Sequence, residues 1–167
     1  YQGLMRVYMP LATGYAWQGD YARSNEICLD ALEILDRFGD LNWVQQARFI
    51  LAQNALTNGD FDEAEKNFTA MIDMAGKLGK GLWHAIGLAY QAKYLLYKGQ
   101  LSQATQGIEQ ALVMAERIGA PLWTNRIRHI QGLVYFYTNR LAEAEYTISD
   151  VHETARSMTF ATDEMIT

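Results

Sequence analysis

An all-α fold of four antiparallel helical hairpins is predicted by three observations. Glycines recur at a fixed interval, apolar residues between them follow helical spacing, and small residues return at a fixed place in each unit. Gly19, Gly59 and Gly99 are spaced by 40, with Asn139 on the next step. Two residues after each stands a large apolar side chain: Tyr21, Phe61, Leu101 and Leu141. Three residues further on come Ser24, Ala64, Ala104 and Ala144. A second glycine set, Gly39, Gly79 and Gly119, and a tryptophan set, Trp43, Trp83 and Trp123, share the spacing. Five aligned columns over a whole chain are the mark of an internal repeat.

The glycines punctuate helices, because a helix commonly ends on a left-handed residue that Gly adopts freely and Asn tolerates. In the second unit Phe61, Ala64, Phe68, Met71, Ile72 and Ala75 line one helical face. The first helices are therefore expected at 3–18, 42–57, 82–97 and 122–137, and the second at 21–38, 61–78, 101–118 and 141–157. They group into repeats 3–40, 41–80, 81–120 and 121–160 of a single domain covering 1–167. Pro10 is expected to kink the first helix or delay its start. Asp60 and Glu63 have capping-box spacing, and Pro121 suits a first helical turn. Residues after Met158 are expected to begin a fifth pair.

Composition narrows the function classes. The formal charge is −5, which argues against a dedicated nucleic-acid surface. No apolar run approaches the roughly 18–20 residues that cross a bilayer. The lone Cys28 allows no internal disulfide, and with these features it points to the cytoplasm.

The columns resemble those of the tetratricopeptide repeat family, which implies that the hairpins stack as a right-handed superhelix (α-solenoid). That family places a small residue where the two helices cross, matched by Ala12, Ala52, Ala92 and Gly132. It places a large residue three positions later, matched by Tyr15, Leu95 and Tyr135 but not by Ala55. Two further apolar columns fit: Cys28, Phe68, Ile108, Ile148, then Ala31, Met71, Ala111, Val151. The family's common unit is about 34 residues and closes on a proline. Here the unit is 40, and Asp36, Gly76 and Glu116 stand where that proline belongs. Such long units resemble the repeat domain of bacterial regulators of the MalT type. The resemblance implies a segment of a larger signalling or transcriptional regulator. The last second helix presents Ile148, Val151 and Ala155 without a partner helix after it, so an array end that lacks a polar cap and could self-associate is expected.

No catalytic constellation emerges, and neither a cofactor nor a metal is expected. His84, His129 and His152 lack the i, i+4 pairing of a helical metal site. Cys28 falls in an apolar column, as a packed thiol would. "GKLGKG" at 76–81 lacks Walker spacing, since Met74 stands at the required glycine and Gly81 follows Lys80; helix capping and solvated lysines explain it. Asp62, Glu63 and Glu65, like Glu143 and Glu145, sit where carboxylates complement a helix dipole. Packing between repeats explains the tryptophan column.

One pattern goes beyond packing. Arg6, Arg48, Lys93, Lys98, Arg126 and Arg128 stand on or beside the first helices, which hold no acid at all. All 19 acids and the other 8 basic residues fall in turns and second helices. In the tetratricopeptide family the first helices line a concave groove. By that resemblance the groove here is lined by Arg6, Met9, Thr13 and Trp17, then Gln46, Phe49, Gln53 and Thr57. Ile86, Lys93 and Tyr97, then Arg126, His129, Leu133 and Tyr137, complete it. The expected role is non-catalytic binding of a protein or peptide segment, acidic in character, or of a neighbouring domain of the same chain. The alternative is a sensor for an anionic or sugar-like small molecule.

Overall fold

The computed structural model describes residues 1–79 and 81–164. Among these lie eight helices and no strand: α1 (Gln2–Trp17), α2 (Tyr21–Phe38), α3 (Leu41–Asn58), α4 (Phe61–Lys77), α5 (Gly81–Tyr97), α6 (Leu101–Ile118), α7 (Pro121–Tyr137) and α8 (Leu141–Glu164). The chain divides into two compact units, Tyr1–Leu78 and the part from Gly79 onward. Within each unit every helix packs on the next, and the two first helices also touch. Short turns make consecutive helices antiparallel, so each unit is two stacked hairpins. This repeated packing is the architecture of an α-solenoid.

The turns follow from residue chemistry. Gly39, Gly59 and Gly119 close α2, α3 and α6 in the left-handed region, with φ of 68°, 79° and 72°. Asn139 takes the same conformation with φ of 61° at the turn where the repeat has lost its glycine. At the opposite helix termini Asp20, Asp40 and Asp60 cap α2, α3 and α4, each carboxylate accepting a backbone N–H of the first turn. The Asp60–Glu63 capping box is only half made. Asp60 accepts from the Glu63 amide at 3.2 Å, but the Asp60 amide already donates to the Ala55 carbonyl at 2.9 Å. The Glu63 carboxylate turns instead to Lys66 at 3.0 Å and Asn67 at 2.8 Å.

Two expectations meet the structure here. Pro10 lies inside α1, so of the kink and the delayed start expected for it the delayed start is excluded. Among the described residues no fifth hairpin begins after Met158, because α8 continues to Glu164; neither Gly nor Pro occurs between 141 and 164 to stop it. Lys80, part of the 76–81 lysine cluster, and residues 165–167 lie outside the described residues.

Each unit has its own core. In the first, Met5, Met9 and Ala12 of α1 meet Cys28, Ala31 and Leu35 of α2 and Ala47, Ile50 and Leu51 of α3. In the second, an alanine-rich seam between α5 and α6 is closed by Ile127, Ile130 and Val134 of α7. Small side chains let the helices approach closely. A Cβ added to Gly107 would lie 3.4 Å from that of Ala92, and one on Gly132 would lie 2.5 Å from Ile148 Cδ1. Cys28 is fully buried, and burial pushes its thiol up to about 12.

Side-chain amides tie helix to helix, both within a hairpin and between hairpins, a device the residue pattern alone did not disclose. Gln45 Nε2 donates to the Met71 carbonyl at 3.2 Å, and Asn125 Nδ2 to the Val151 carbonyl at 3.1 Å. Donors and acceptors are each two repeat lengths apart, so this is one bond made twice. Asn54 reaches from α3 to Ser24 Oγ at 2.7 Å and Asn25 Oδ1 at 2.8 Å on α2.

Candidate functional site

The absence of acids from α1, α3, α5 and α7 directs attention to the faces that these helices leave uncovered. In the second unit, Ile86, Tyr90, Lys93 and Tyr97 follow each other at i, i+4, i+7 and i+11 on α5. Ile86, expected to line the groove, is instead buried; Tyr90 and Lys93 are half-buried, and Tyr97 is exposed. Lys93 Nζ lies 5.8 Å from the Tyr97 ring centroid. Burial holds its ammonium below the usual lysine range, because a charge stripped of water is disfavoured.

Helix α7 supplies the other cation. The Arg126 guanidinium is 5.0 Å from the Trp123 ring centroid, and that ring meets Trp83 of α5 at 6.5 Å in a tilted pair. Arg126 is also near enough to favour the phenolate of Tyr90, although burial outweighs it and raises that phenol. Lys93, Tyr97, Tyr90, Arg126 and Trp123 therefore form one basic and aromatic surface spanning α5 and α7. The two tryptophans take the packing role between repeats that their column suggested. His129 and Tyr137 of α7 are exposed, and Leu133 is half-buried against the core.

The first unit treats its candidates differently. Arg6, Thr57 and Trp17 are exposed, Trp17 by 85%. Thr13, Gln46 and Gln53 are half-buried. The Thr13 hydroxyl donates to the Met9 carbonyl at 2.9 Å, and Thr57 likewise to Gln53 at 2.9 Å. Two assignments are corrected. Met9 is fully buried and Phe49 only 7% exposed. Both belong to the i, i+4, i+7 stripes 5/9/12 and 45/49/52, which point into the protein rather than onto an open face.

Arg128 and Arg48 are held by neighbouring helices. Arg128 bridges Glu116 at 3.2 Å and Asp150 at 3.1 Å, tying α7 to α6 and α8. Arg48 donates to Asn67 at 3.3 Å. Arg128 also borders a pocket of about 320 Å³ beside Gly119, Pro121, Thr124 and Met158. That pocket shares no residue with the α5–α7 surface. Among the described residues no three His, Cys, Asp or Glu side chains gather as a metal site would require. No helix there is long and apolar enough to cross a membrane.

Sequence reasoning missed Tyr90, which lies one position off the family's groove columns. Its signal was available as the spacing 86/90/93/97.

No family model and no curated protein matches the sequence. Among solved structures the chain is similar to BtubC (BKLC) from P. vanneervenii, with a TM-score of 0.69 and 18% identity over 93% of its own length. It spans 64% of that protein's chain. At this identity the likeness speaks for the helical-repeat fold.

Proposed function

We propose that this chain is a long-unit, tetratricopeptide-like domain that binds an acidic or carboxylate-bearing protein segment without catalysing a reaction on it. The carrying observation is the placement of Lys93 and Arg126 among Tyr90, Tyr97 and Trp123 on acid-free helices. Aromatic rings provide rigid contact area, and arginine is typical of interface anchors. The partly dehydrated Lys93 favours an anionic partner, since a nearby carboxylate offsets the cost of keeping that ammonium charged. Arg6, Thr13, Trp17, Gln46, Gln53 and Thr57 offer matching columns in the first unit. The 40-residue unit supports a place as the scaffold or sensor part of a larger bacterial regulator of the MalT type, in the cytoplasm.

The experiment is selection of a displayed random-peptide library on the purified chain. Winners should be enriched in Asp and Glu, and Tyr97→Ala should weaken them roughly tenfold, as for an interface anchor. Arg126→Ala should weaken them as well, and Glu109→Gln on the exposed side of α6 should not. Winners without acidic residues, or winners sensitive only to Glu109→Gln, would overturn the proposal.

A further inference from the structure

We propose that Arg126 selects a side-chain carboxylate by a two-point contact, and that the Trp123–Trp83 pair is the element that positions it. This role rests on the acidic-segment reading above, which it refines from charge to geometry. Other arginines that lie over rings supply the contrast. Arg23 over Tyr15 at 5.6 Å also binds Asp20 at 3.3 Å, and Arg140 over Tyr135 at 4.2 Å also binds Glu143 at 2.9 Å. Those guanidinium groups find their anion within their own turn. Arg126 lies over Trp123 at 5.0 Å and is exposed. Among the described residues it has no carboxylate partner. Its donors are left to an incoming anion.

The platform beneath Arg126 belongs to the repeat and not to the cation. Trp43, Trp83 and Trp123 occupy one column, and three residues after them stand Gln46, Ile86 and Arg126. Trp43 packs on the core of the first unit, and Trp83 meets Trp123 at 6.5 Å with the rings tilted by 54°. Packing thus holds these rings whatever follows them, and of the three only Trp123 carries a cation. A cation over a ring face is attracted by the ring's quadrupole. An arginine there keeps its donors in the guanidinium plane, where they match the two oxygens of a carboxylate. Held in place beforehand, the long side chain loses less freedom when the carboxylate arrives. A lysine would bring the same charge as a single point, without the matched pair of donors.

The test is a titration with an end-blocked tetraglutamate peptide, followed by NMR at the Arg126 Nε–H and at the Lys93 and Tyr97 amides. Arg126→Lys should weaken binding about tenfold, the loss of one charge-assisted hydrogen bond, although the net charge is unchanged. Trp123→Leu should weaken it by a similar factor in the parent and no further in the Arg126→Lys background. Trp123→Phe keeps a ring under the guanidinium and should weaken it less; circular dichroism verifies that each variant is folded. An Arg126→Lys variant that binds like the parent overturns the two-point contact. A Trp123→Leu loss that persists in full beside Arg126→Lys overturns the positioning role. In both cases, shifts at the Lys93 and Tyr97 amides would leave the acidic-segment reading standing. A peptide that shifts neither those amides nor Arg126 in the parent overturns that reading, and the role of Arg126 with it.

Discussion

Ala92→Leu tests the close helix crossing on which the fold depends. Ala92 is fully buried on α5, and opposite it stands Gly107, whose missing Cβ would lie only 3.4 Å from the Ala92 Cβ. The three added carbons of leucine would have to displace α6 backbone, which cannot rotate aside as a side chain can. Overpacking costs about 1–3 kcal/mol, and the rigid opposing surface places this case in the upper half, at about 2–3 kcal/mol. For a chain of this size that corresponds to a Tm lowered by roughly 4–12 °C. The reverse change across the same contact has the opposite sign. Gly107→Ala adds one carbon at the edge of ordinary contact and removes a helix-interior glycine, a gain of up to about 1 kcal/mol. Urea titrations followed by circular dichroism compare both with the parent and with Gln103→Ala, which is exposed and should be neutral. An Ala92→Leu variant that unfolds with the parent would refute the crossing. A Gly107→Ala variant as damaged as Ala92→Leu would show that the seam has no room even for one carbon.

Asn139→Gly should stabilise the last turn and Asn139→Val should destabilise it by about 1–2 kcal/mol, because φ is 61° there; thermal melts of the two variants check this. Cys28 should resist thiol reagents at pH 8 in the native state and react at once in urea, since burial removes both access and thiolate. The native state keeps the Cys28 proton that the unfolded chain releases from pH 9.0, so this group's contribution to stability should fall as pH rises from there toward about 12. Alkaline urea titrations of the parent and Cys28→Ala measure that difference. Binding of an acidic peptide should weaken at alkaline pH before ordinary lysines deprotonate, because burial lowers Lys93; a Lys93→Arg variant should remove that early loss.

Much of the fold was legible because the sequence states it repeatedly. A glycine at 19, 59 and 99 and an asparagine at 139 demand the same backbone conformation, and each occurrence locates a helix end. The end of α8 was not legible by the same rule: neither Gly nor Pro follows residue 157 to stop the helix, and it runs on to Glu164. The site was legible as charge but less so as geometry. Counting acids by helix pointed to α1, α3, α5 and α7 alike, and on the last two Lys93 and Arg126 meet aromatic rings. Which side of a helix is open depends on neighbours that a one-residue column shift changes. That shift placed Met9 and Phe49 on the surface and left Tyr90 out. The Gln45–Met71 and Asn125–Val151 bonds depend on interhelix distance, which no single helix encodes.

The central claim is that a basic and aromatic face on α5 and α7 recognises an acidic segment. Charge is screened over about 8–10 Å near physiological salt, so it acts chiefly on encounter, whereas buried rings act on dissociation. The most direct measurement is the association and dissociation rate of a selected acidic peptide at low and high salt. Parent, Arg126→Ala, Lys93→Ala and Tyr97→Ala should be compared. Arg126→Ala and Lys93→Ala should slow association at low salt and converge with the parent at high salt. Tyr97→Ala should speed dissociation at both. Association rates that ignore salt and both cations, or that respond instead to acids of α6 and α8, would contradict it.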